Sequence, residues 1–473
     1  MEIALDLAQR IAAFEYDSLP AQAVSNAKTA VLDTMGVTLG GAREEAPGVL
    51  LKVPGIGDAG PCTVFGFDKT VSALNAALIN GVSSHVMDFD DVNIAIGGHP
   101  SAVLVPGLFA LAEMQNASGR DFLTAFIAGF ETETRIARGV NFYHYEKGWH
   151  PTTTLGVFGA AAACARLLRL DPAQIARALS IVASFACGLK ANFGTMTKSL
   201  HVGHCAQSGL MAAMLAREGF TANAGVFEHK HGFLEVYNGA GNYDAQKIFK
   251  GWAEPLDIVD PGTGIKSYPC CGGTHASLDA MITLRDRHHP ELADVESIHG
   301  RVHARRLAHI NRADPQSDLD AKFSIHYCLA RALMEGRVVV EHFENEAHRD
   351  PAVRALMKKV SVEPYVNPPP DIGDHYAVDV VVTMKSGQRH QIHQARPCGR
   401  IPAEPVPPAR LKAKFESCAG RVLPAERVSQ LHAALEDLEN ITSIQEVASL
   451  LMTRPDSPAK GGAQSVRRAA SRG

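Results

Sequence analysis

HVMDFDDVNIAIGGHPSA, residues 85–102, decides how the rest of the chain is read. Asp88, Asp90 and Asp91 put three carboxylates within four residues, and His85 and His99 flank them. The segments on either side, 71–82 and 103–114, are strongly apolar with helical spacing. Charged groups between two buried helices are costly unless they are partnered. The alternative is an exposed acidic turn running into a Gly-rich loop. The neighbours argue against it: Gly97-Gly98 gives a flexible backbone, His99-Pro100 ends it, and Ser101 is placed to cap the next helix.

Outward from this stretch the first 265 residues read almost entirely as helices. Ile3, Leu7, Ile11 and Phe14 recur at helical spacing, and a helix after Pro20 carries Val24, Ala27, Val31 and Met35 on one face until Gly40-Gly41 stops it. A short piece at 63–67 reads as extended. Helices are expected at about 71–84, 101–116, 121–138, 152–168, 172–186, 199–217 and 223–228. Ala160–Ala163, Gly209 and Ala212-Ala213 form small-residue faces that let helices approach closely. Several segments are apolar all round, so they are central. The character changes near Pro261-Gly-Thr-Gly264. Strand-like alternation appears at about 297–305, 359–365, 376–384 and 389–394, with a hairpin turn at 385–388 and helices near 274–288, 318–335 and 350–358. Helical patterns return at about 409–417, 424–438 and 443–453. The expected fold class is mainly α: a large all-helical domain over 1–265 and 405–454, a smaller α+β lid domain over 266–404, and a disordered tail at 455–473 rich in Pro, Gly, Ser, Ala and Arg.

Composition narrows the function. A net charge of −4 gives no footprint for nucleic acid or an anionic membrane. No apolar run reaches the ~18 residues needed to span a bilayer, and the N-terminus has no basic n-region. Nine cysteines without a short-range framework point to reduced thiols and a cytoplasmic protein. Cys270-Cys271 are adjacent, with no C-x-x-C pair, which argues against an iron–sulfur dehydratase. There is no Gly-x-Gly-x-x-Gly after a strand, no P-loop and no Gly-x-Ser-x-Gly, so neither a nucleotide cofactor nor a serine nucleophile has support. No cofactor and no metal are expected.

Three further segments carry groups that move protons. Tyr143-His-Tyr145-Glu-Lys-Gly-Trp-His150-Pro lies on a loop before a helix, where Trp149 would otherwise be a plain anchor. Gly194-Thr-Met-Thr-Lys198-Ser-Leu-His201-Val-Gly-His204 opens a very apolar helix. The helix dipole disfavours a cation at that end, and a lysine so placed is suited to proton removal, although most lysines simply snorkel. His201 and His204 share a face but have no third metal ligand in register, so a packed role is favoured. Lys266-Ser-Tyr268-Pro-Cys-Cys-Gly-Gly-Thr-His275 falls at the domain junction, where Lys266 and Tyr268 could hold a substrate carboxylate and His275 could reach the same cleft. Lys322-Phe-Ser-Ile-His326-Tyr327 fits helix packing as well as chemistry. Arg135 and Arg138, one turn apart, read as a solvated face.

These segments, with HPSAVLVPGLFALAE after the opening stretch, GWHPTTTLGVFGAAAA at 148–163 and GTMTKSLHVGHCAQSGLMAAMLA at 194–216, resemble the MmgE/PrpD family from about residue 5 to about 450. That family includes 2-methylcitrate dehydratases, cis-aconitate decarboxylases and an iminodisuccinate epimerase. The resemblance implies a helical domain with an α+β lid, a homodimer, and active-site roles for His150, Lys198 and a histidine of the 266–275 segment. The residue set suits proton transfer on a small polycarboxylate. Val92 stands where a decarboxylase is expected to carry threonine, and the loop to His99 is one residue longer, both of which weaken a decarboxylase reading. Tyr145 and Lys198 resemble the two-base pair of the epimerase. The sequence therefore points to an isomerase interconverting iminodisuccinate stereoisomers, with Tyr145 and Lys198 catalytic and Asp88, Asp91, His99, His150, Lys266 and His275 shaping the pocket. The alternatives are a 2-methylcitrate dehydratase-like lyase and an inactive helical scaffold.

Overall fold

The computed structural model describes residues 2–367, 375–401 and 404–453. The tail at 455–473 lies outside them. The fold is mainly α with a smaller α+β part.

The stretch at 85–102 is indeed suspended between two buried helices, Ala73–His85 and Pro100–Gln115. Ser72 starts the first by accepting from Asn75 N at 3.3 Å. Every residue of the second from Pro100 to Glu113 is buried, so this helix is the axis of the molecule. Around it pack Gly119–Val140, Gly156–Leu167 and Met196–Arg217. Small residues set the spacing: a Cβ on Gly203 would lie 2.3 Å from Leu78 O, and one on Gly209 would lie 2.4 Å from Ala160 Cβ. The Pro408–Ala419 helix comes back against Ala21–Gly41, so Phe415, Leu431 and Leu451 join the same apolar core as Leu7 and Phe109.

A second core surrounds a four-stranded sheet in the order Val360–Pro364, Val295–Val302, Val378–Met384, Arg389–Gln394. The first pair is parallel and the others antiparallel. Alternation of Val378, Val380 and Val382 toward the Gly272–His288 and Ile325–Glu335 helices buries one face. No helix among the described residues is long and apolar enough to cross a membrane.

Several elements differ from the sequence reading. Residues 223–228 form turns, because Asn223 Oδ1 takes the N–H of Gly225 at 3.0 Å in place of a helical bond. The extended piece is Ala59–Thr63, paired with Thr70–Val71, and Val64 N closes the turn onto Lys69 O at 3.0 Å. The expected 152–168 helix divides into Pro151–Thr154 and Gly156–Leu167. The expected 318–335 helix divides into Asp318–Ala321 and Ile325–Glu335, where Ser324 recaps the chain by accepting from Tyr327 N at 3.1 Å. The strand expected to reach Arg305 stops at Val302, and Arg305 lies in the Ala304–Ile310 helix. Arg135 and Arg138 are not a solvated face. Arg135 is buried and donates to Glu131 at 2.6 Å, and Arg138 holds Asp257 through two bonds of 2.9 Å.

Candidate active site

The two cores meet at a cavity of about 290 Å³. Its floor is the 85–102 loop. The backbone there is held in an unusual way: three successive carbonyls each accept from a lysine of a different element. Met87 O takes Lys322 Nζ at 2.9 Å, Asp88 O takes Lys266 Nζ at 2.7 Å, and Phe89 O takes Lys414 Nζ at 2.8 Å. Between them Asp88 sits at φ +56°, a left-handed conformation that a non-glycine residue adopts at a cost of about 1–2 kcal/mol. The clasp fixes where the Asp88 carboxylate points.

That carboxylate lies between two ammonium groups, Lys198 Nζ at 2.7 Å and Lys266 Nζ at 3.0 Å. Burial opposes its charge, but Lys198 and Lys266 outweigh burial and hold the Asp88 carboxyl well below the usual range. Burial equally opposes the charge of Lys266, and Asp88 outweighs it and holds the ammonium above its ordinary value.

Beside Asp88 runs a chain of imidazole, carboxylate and imidazole, with His85 and Asp90 buried and His99 at the cavity wall. His85 Nδ1 lies 2.7 Å from Asp90 Oδ2, and His99 Nδ1 lies 3.2 Å from the same oxygen. Burial drives His85 down to about 4, against the pull of Asp90, so at neutral pH it is an uncharged donor to that carboxylate. Burial works against the Asp90 charge too, but the two rings hold its carboxyl well below the usual range. His85, Asp90 and His99 are the set among the described residues whose ligand atoms all lie within 4.8 Å of one another, the arrangement a metal would need. The 2.7 Å separation is that of a direct hydrogen bond, which fits a shared proton.

The other walls come from both cores. On the helical side stand Tyr145, His150, Lys198 and Phe193. Tyr145 belongs to the short Tyr143–Lys147 helix. His144 anchors that helix to Asn238 and Thr154 at 2.9 and 2.7 Å, and Trp149 donates to Tyr237 O at 3.1 Å. Burial, with Cys271 close by, pushes the Tyr145 phenol up, against the pull of Arg306 and Arg305. Burial holds His150 well below its ordinary value, as do the surrounding His85 and Lys198. At neutral pH Tyr145 is therefore a proton donor and His150 a proton acceptor. On the α+β side stand Cys271, Arg305, Arg306, His309, Arg312, Tyr376 and Arg400.

Six of the expected site residues thus face one cavity: Asp88, His99, Tyr145, His150, Lys198 and Lys266. Two do not. Asp91 is buried beneath the floor, accepting from Ser101 Oγ at 2.6 Å and Thr263 Oγ1 at 2.7 Å. Ser101 is consequently not a cap. His99 holds the cap position, and Pro100 opens the helix. His275 points into the α+β part, 3.1 Å from Cys270 O and edge-on to Tyr268, while Lys266 and Cys271 of its segment reach the cavity. Tyr268 does not line the cavity either; its hydroxyl joins Asp279 and Arg410 at 2.7 and 2.8 Å. His201 and His204, which share a face, diverge to His150 at 3.3 Å and Cys187 at 3.5 Å. The sequence reading missed the arginines of the α+β part and Tyr376. The Arg305-Arg306 pair with His309 one turn on was the available signal.

Family models agree with this architecture. The MmgE/PrpD N-terminal domain matches residues 5–246 and the MmgE/PrpD C-terminal domain residues 268–440. The chain belongs to the MmgE/PrpD family. Among curated relatives it is 29% identical over 440 residues to the cis-aconitate decarboxylase of Mus musculus, covering 90% of this chain and 89% of that one. It is 30% identical over 441 residues to the cis-aconitate decarboxylase of Homo sapiens, covering 90% of each. With the cis-aconitate decarboxylase of Aspergillus terreus the identity is 27% over 466 residues, 93% of this chain and 94% of the relative. These relatives are lyases by name. The family is therefore that of enzymes, and the resemblance to an isomerase is not what these matches support.

Proposed function

We propose that the protein is a lyase acting on a polycarboxylate, with decarboxylation of a cis-aconitate-like tricarboxylate as its reaction. The observation that carries this reading is the charge of the cavity. Lys198, Lys266, Arg305, Arg306, Arg312 and Arg400 line it, and Asp88 is the one carboxylate among the described lining residues. Such a wall recruits and orients a ligand with several negative charges.

The relatives' names favour a C–C cleavage, and the protonation states suit it. The carboxylate on the methylene carbon leaves as carbon dioxide, and its bonding pair shifts through the adjacent double bond. The negative charge arrives on the carbon next to a second carboxylate, where it takes a proton. Tyr145, held protonated, is the donor, and the cationic wall stabilises the charge as it moves. Dehydration of a hydroxy acid would use the same set, with neutral His150 taking the carbon-bound proton and Tyr145 protonating the departing hydroxide.

A second reading is supported by one observation: Tyr145 and Lys198 line the same cavity from different helices, as a two-base epimerase of iminodisuccinate requires. Against it, Tyr145 is pushed toward its protonated form and Lys198 is occupied with Asp88. Proton NMR in deuterium oxide separates the readings. Conversion of cis-aconitate to methylenesuccinate with one deuterium incorporated supports the decarboxylase. Water loss from methylcitrate would replace it with the dehydratase. Deuterium exchange with interconversion of iminodisuccinate stereoisomers, and no turnover of the other two, would replace it with the epimerase.

A further inference from the structure

The floor loop borders a second cavity. Asp88 lines the catalytic one, and the next residue, Phe89, lines another of about 610 Å³ that shares no lining residue with it. This second cavity lies where the chain passes between the two cores, with Ser267 and Pro269 at the first crossing and Cys398 and Arg410 at the second. Tyr268 and Asp279 tie the crossings together. The Tyr268 hydroxyl donates to Asp279 Oδ1 at 2.7 Å and accepts from Arg410 at 2.8 Å, and Cys398 N donates to Asp279 Oδ2 at 2.8 Å. Phe89, Ile282, Val338 and Val340 give the cavity an apolar wall, and its charged groups are Asp279, Arg337, Arg410 and Lys414. Asp279 lies 3.8 Å from Arg410, and Asp33 meets Lys414 at 2.6 Å, so protein carboxylates balance both of those cations. Arg337 forms no ion pair among the described residues, which leaves the cavity one positive charge in excess. We propose that this cavity binds a small monocarboxylate with an apolar body, and that its occupancy loosens the floor of the catalytic cavity. The binding site stands apart from the polycarboxylate reading above, and the coupling rests on it.

The size and the mix of an apolar wall with a few polar groups are those of small-molecule sites. The coupling runs through Lys414. Its ammonium lies 4.0 Å from the centroid of the Phe89 ring and donates to Phe89 O at 2.8 Å. That bond is one of the three lysine contacts that hold the loop around Asp88, whose backbone is left-handed at φ +56° and relaxes when its supports weaken. A carboxylate is a stronger acceptor for an ammonium group than a neutral carbonyl is. A carboxylate bound in the second cavity therefore draws Lys414 away from Phe89 O. Phe89 and Val340, which both line this cavity, pack in one small apolar cluster with Met87, so the residues on either side of Asp88 respond to the same occupant. The Asp88 carboxylate then shifts between Lys198 and Lys266, and the cationic floor that meets a polycarboxylate shifts with it.

The probe is 3-phenylpropanoate, with 3-phenylpropan-1-ol as its uncharged counterpart. In calorimetric titration of the full chain the acid is expected to bind, and the alcohol to bind about 10-fold more weakly or less. Arg337→Gln is expected to weaken the acid about 10-fold, and Ala413→Phe, which fills the cavity from the Pro408–Ala419 helix, to abolish its binding. Neither residue lines the catalytic cavity, so the affinity for propane-1,2,3-tricarboxylate is expected to stay within about twofold in both variants. Saturating 3-phenylpropanoate is expected to weaken the tricarboxylate about fivefold in the wild type, to level off there, and to have no effect in Ala413→Phe. Far-ultraviolet circular dichroism of each variant checks folding. Failure of the wild type to bind the acid, or equal binding in both variants, overturns the site. Mutual displacement of the acid and the tricarboxylate that never levels off puts the acid in the catalytic cavity and overturns the site too. An acid that responds to both variants but leaves the tricarboxylate affinity unchanged overturns the coupling alone. A wild-type protein that fails to bind the tricarboxylate overturns the polycarboxylate reading and the coupling with it, while the acid titrations still decide the site.

Discussion

Single residues in this site act through the protonation state that burial gives them. Tyr145 is half-buried with its phenol pushed up, so it holds a proton to deliver. Tyr145→Phe keeps the ring and its packing under Lys190, whose ammonium lies 3.6 Å from the ring centroid. The expected result is a fall in kcat of about 10²- to 10⁴-fold with little change in polycarboxylate binding. A variant that loses binding instead would make Tyr145 a binding group. His85 reports on stability. In the unfolded chain it takes a proton near pH 6.5, and in the folded chain near 4. Between those values the unfolded state binds more protons, so stability falls as pH drops through that window, by on the order of 3 kcal/mol for this residue. His85→Asn, which retains a donor for Asp90, is expected to flatten the dependence of the urea midpoint between pH 7 and 5. A midpoint that falls as steeply as in the wild type counts against this assignment. The place of Asp88, His150 and Lys198 at one cavity was legible because each sits beside a run whose neighbours also carry polar, proton-moving groups. The meeting of Arg306 and Arg400 over Tyr376 was not, because the three come from separate segments of the sequence and only the packed α+β part brings them onto one ring.

Elements succeed or fail here on how close they approach. The Ala73–His85 helix leads into the loop bearing Asp88 and the Met196–Arg217 helix bears Lys198, which form the 2.7 Å pair, and Gly81 and Gly203 are where the two helix backbones touch. On an open helix, Gly→Ala would gain about 1 kcal/mol. At Gly203 the added methyl meets Leu78 O and Val82, so Gly203→Ala is expected to destabilise by about 1–3 kcal/mol and to lower activity by shifting Lys198. Urea unfolding and kcat measured together check this, and a stabilised, fully active variant would contradict it. Small-residue runs at 160–163 and 209–213 announced such contacts in the sequence. Local periodicity also gave the sheet strands to within a few residues. What it could not give was the clasp on Met87, Asp88 and Phe89, since Lys322, Lys266 and Lys414 look like ordinary lysines until the chain is folded. Helix breaks at Leu155 and at 322–324 were hidden for a related reason: capping by Ser324 overrides an apolar pattern that continues through it.

The whole molecule sets a slightly negative net charge against a cationic cavity. The chain carries a formal net charge of −4, yet six cations and one carboxylate line the cavity among the described residues. The mainly α class could be read from helical periodicity. The same overall charge hid the cavity, because composition averages over surface and interior. Folding separates them: two cores, one carrying Leu7 and Phe415 and the other the valines of the sheet, face each other across the junction and point their cations inward. An anion entering feels that local field and not the distant surface charge, since the screening length is about 8 Å at physiological salt. Raising sodium chloride from about 0.02 to 0.5 M is therefore expected to lower kcat/KM for a tricarboxylate by roughly tenfold, because each additional ligand charge adds to the attraction being screened. A dicarboxylate should show a smaller slope, and the affinity for butanoate should hardly move. Identical salt slopes for one, two and three carboxylates would mean that the wall recognises shape and not charge, and the reaction would then have to be sought among less highly charged acids.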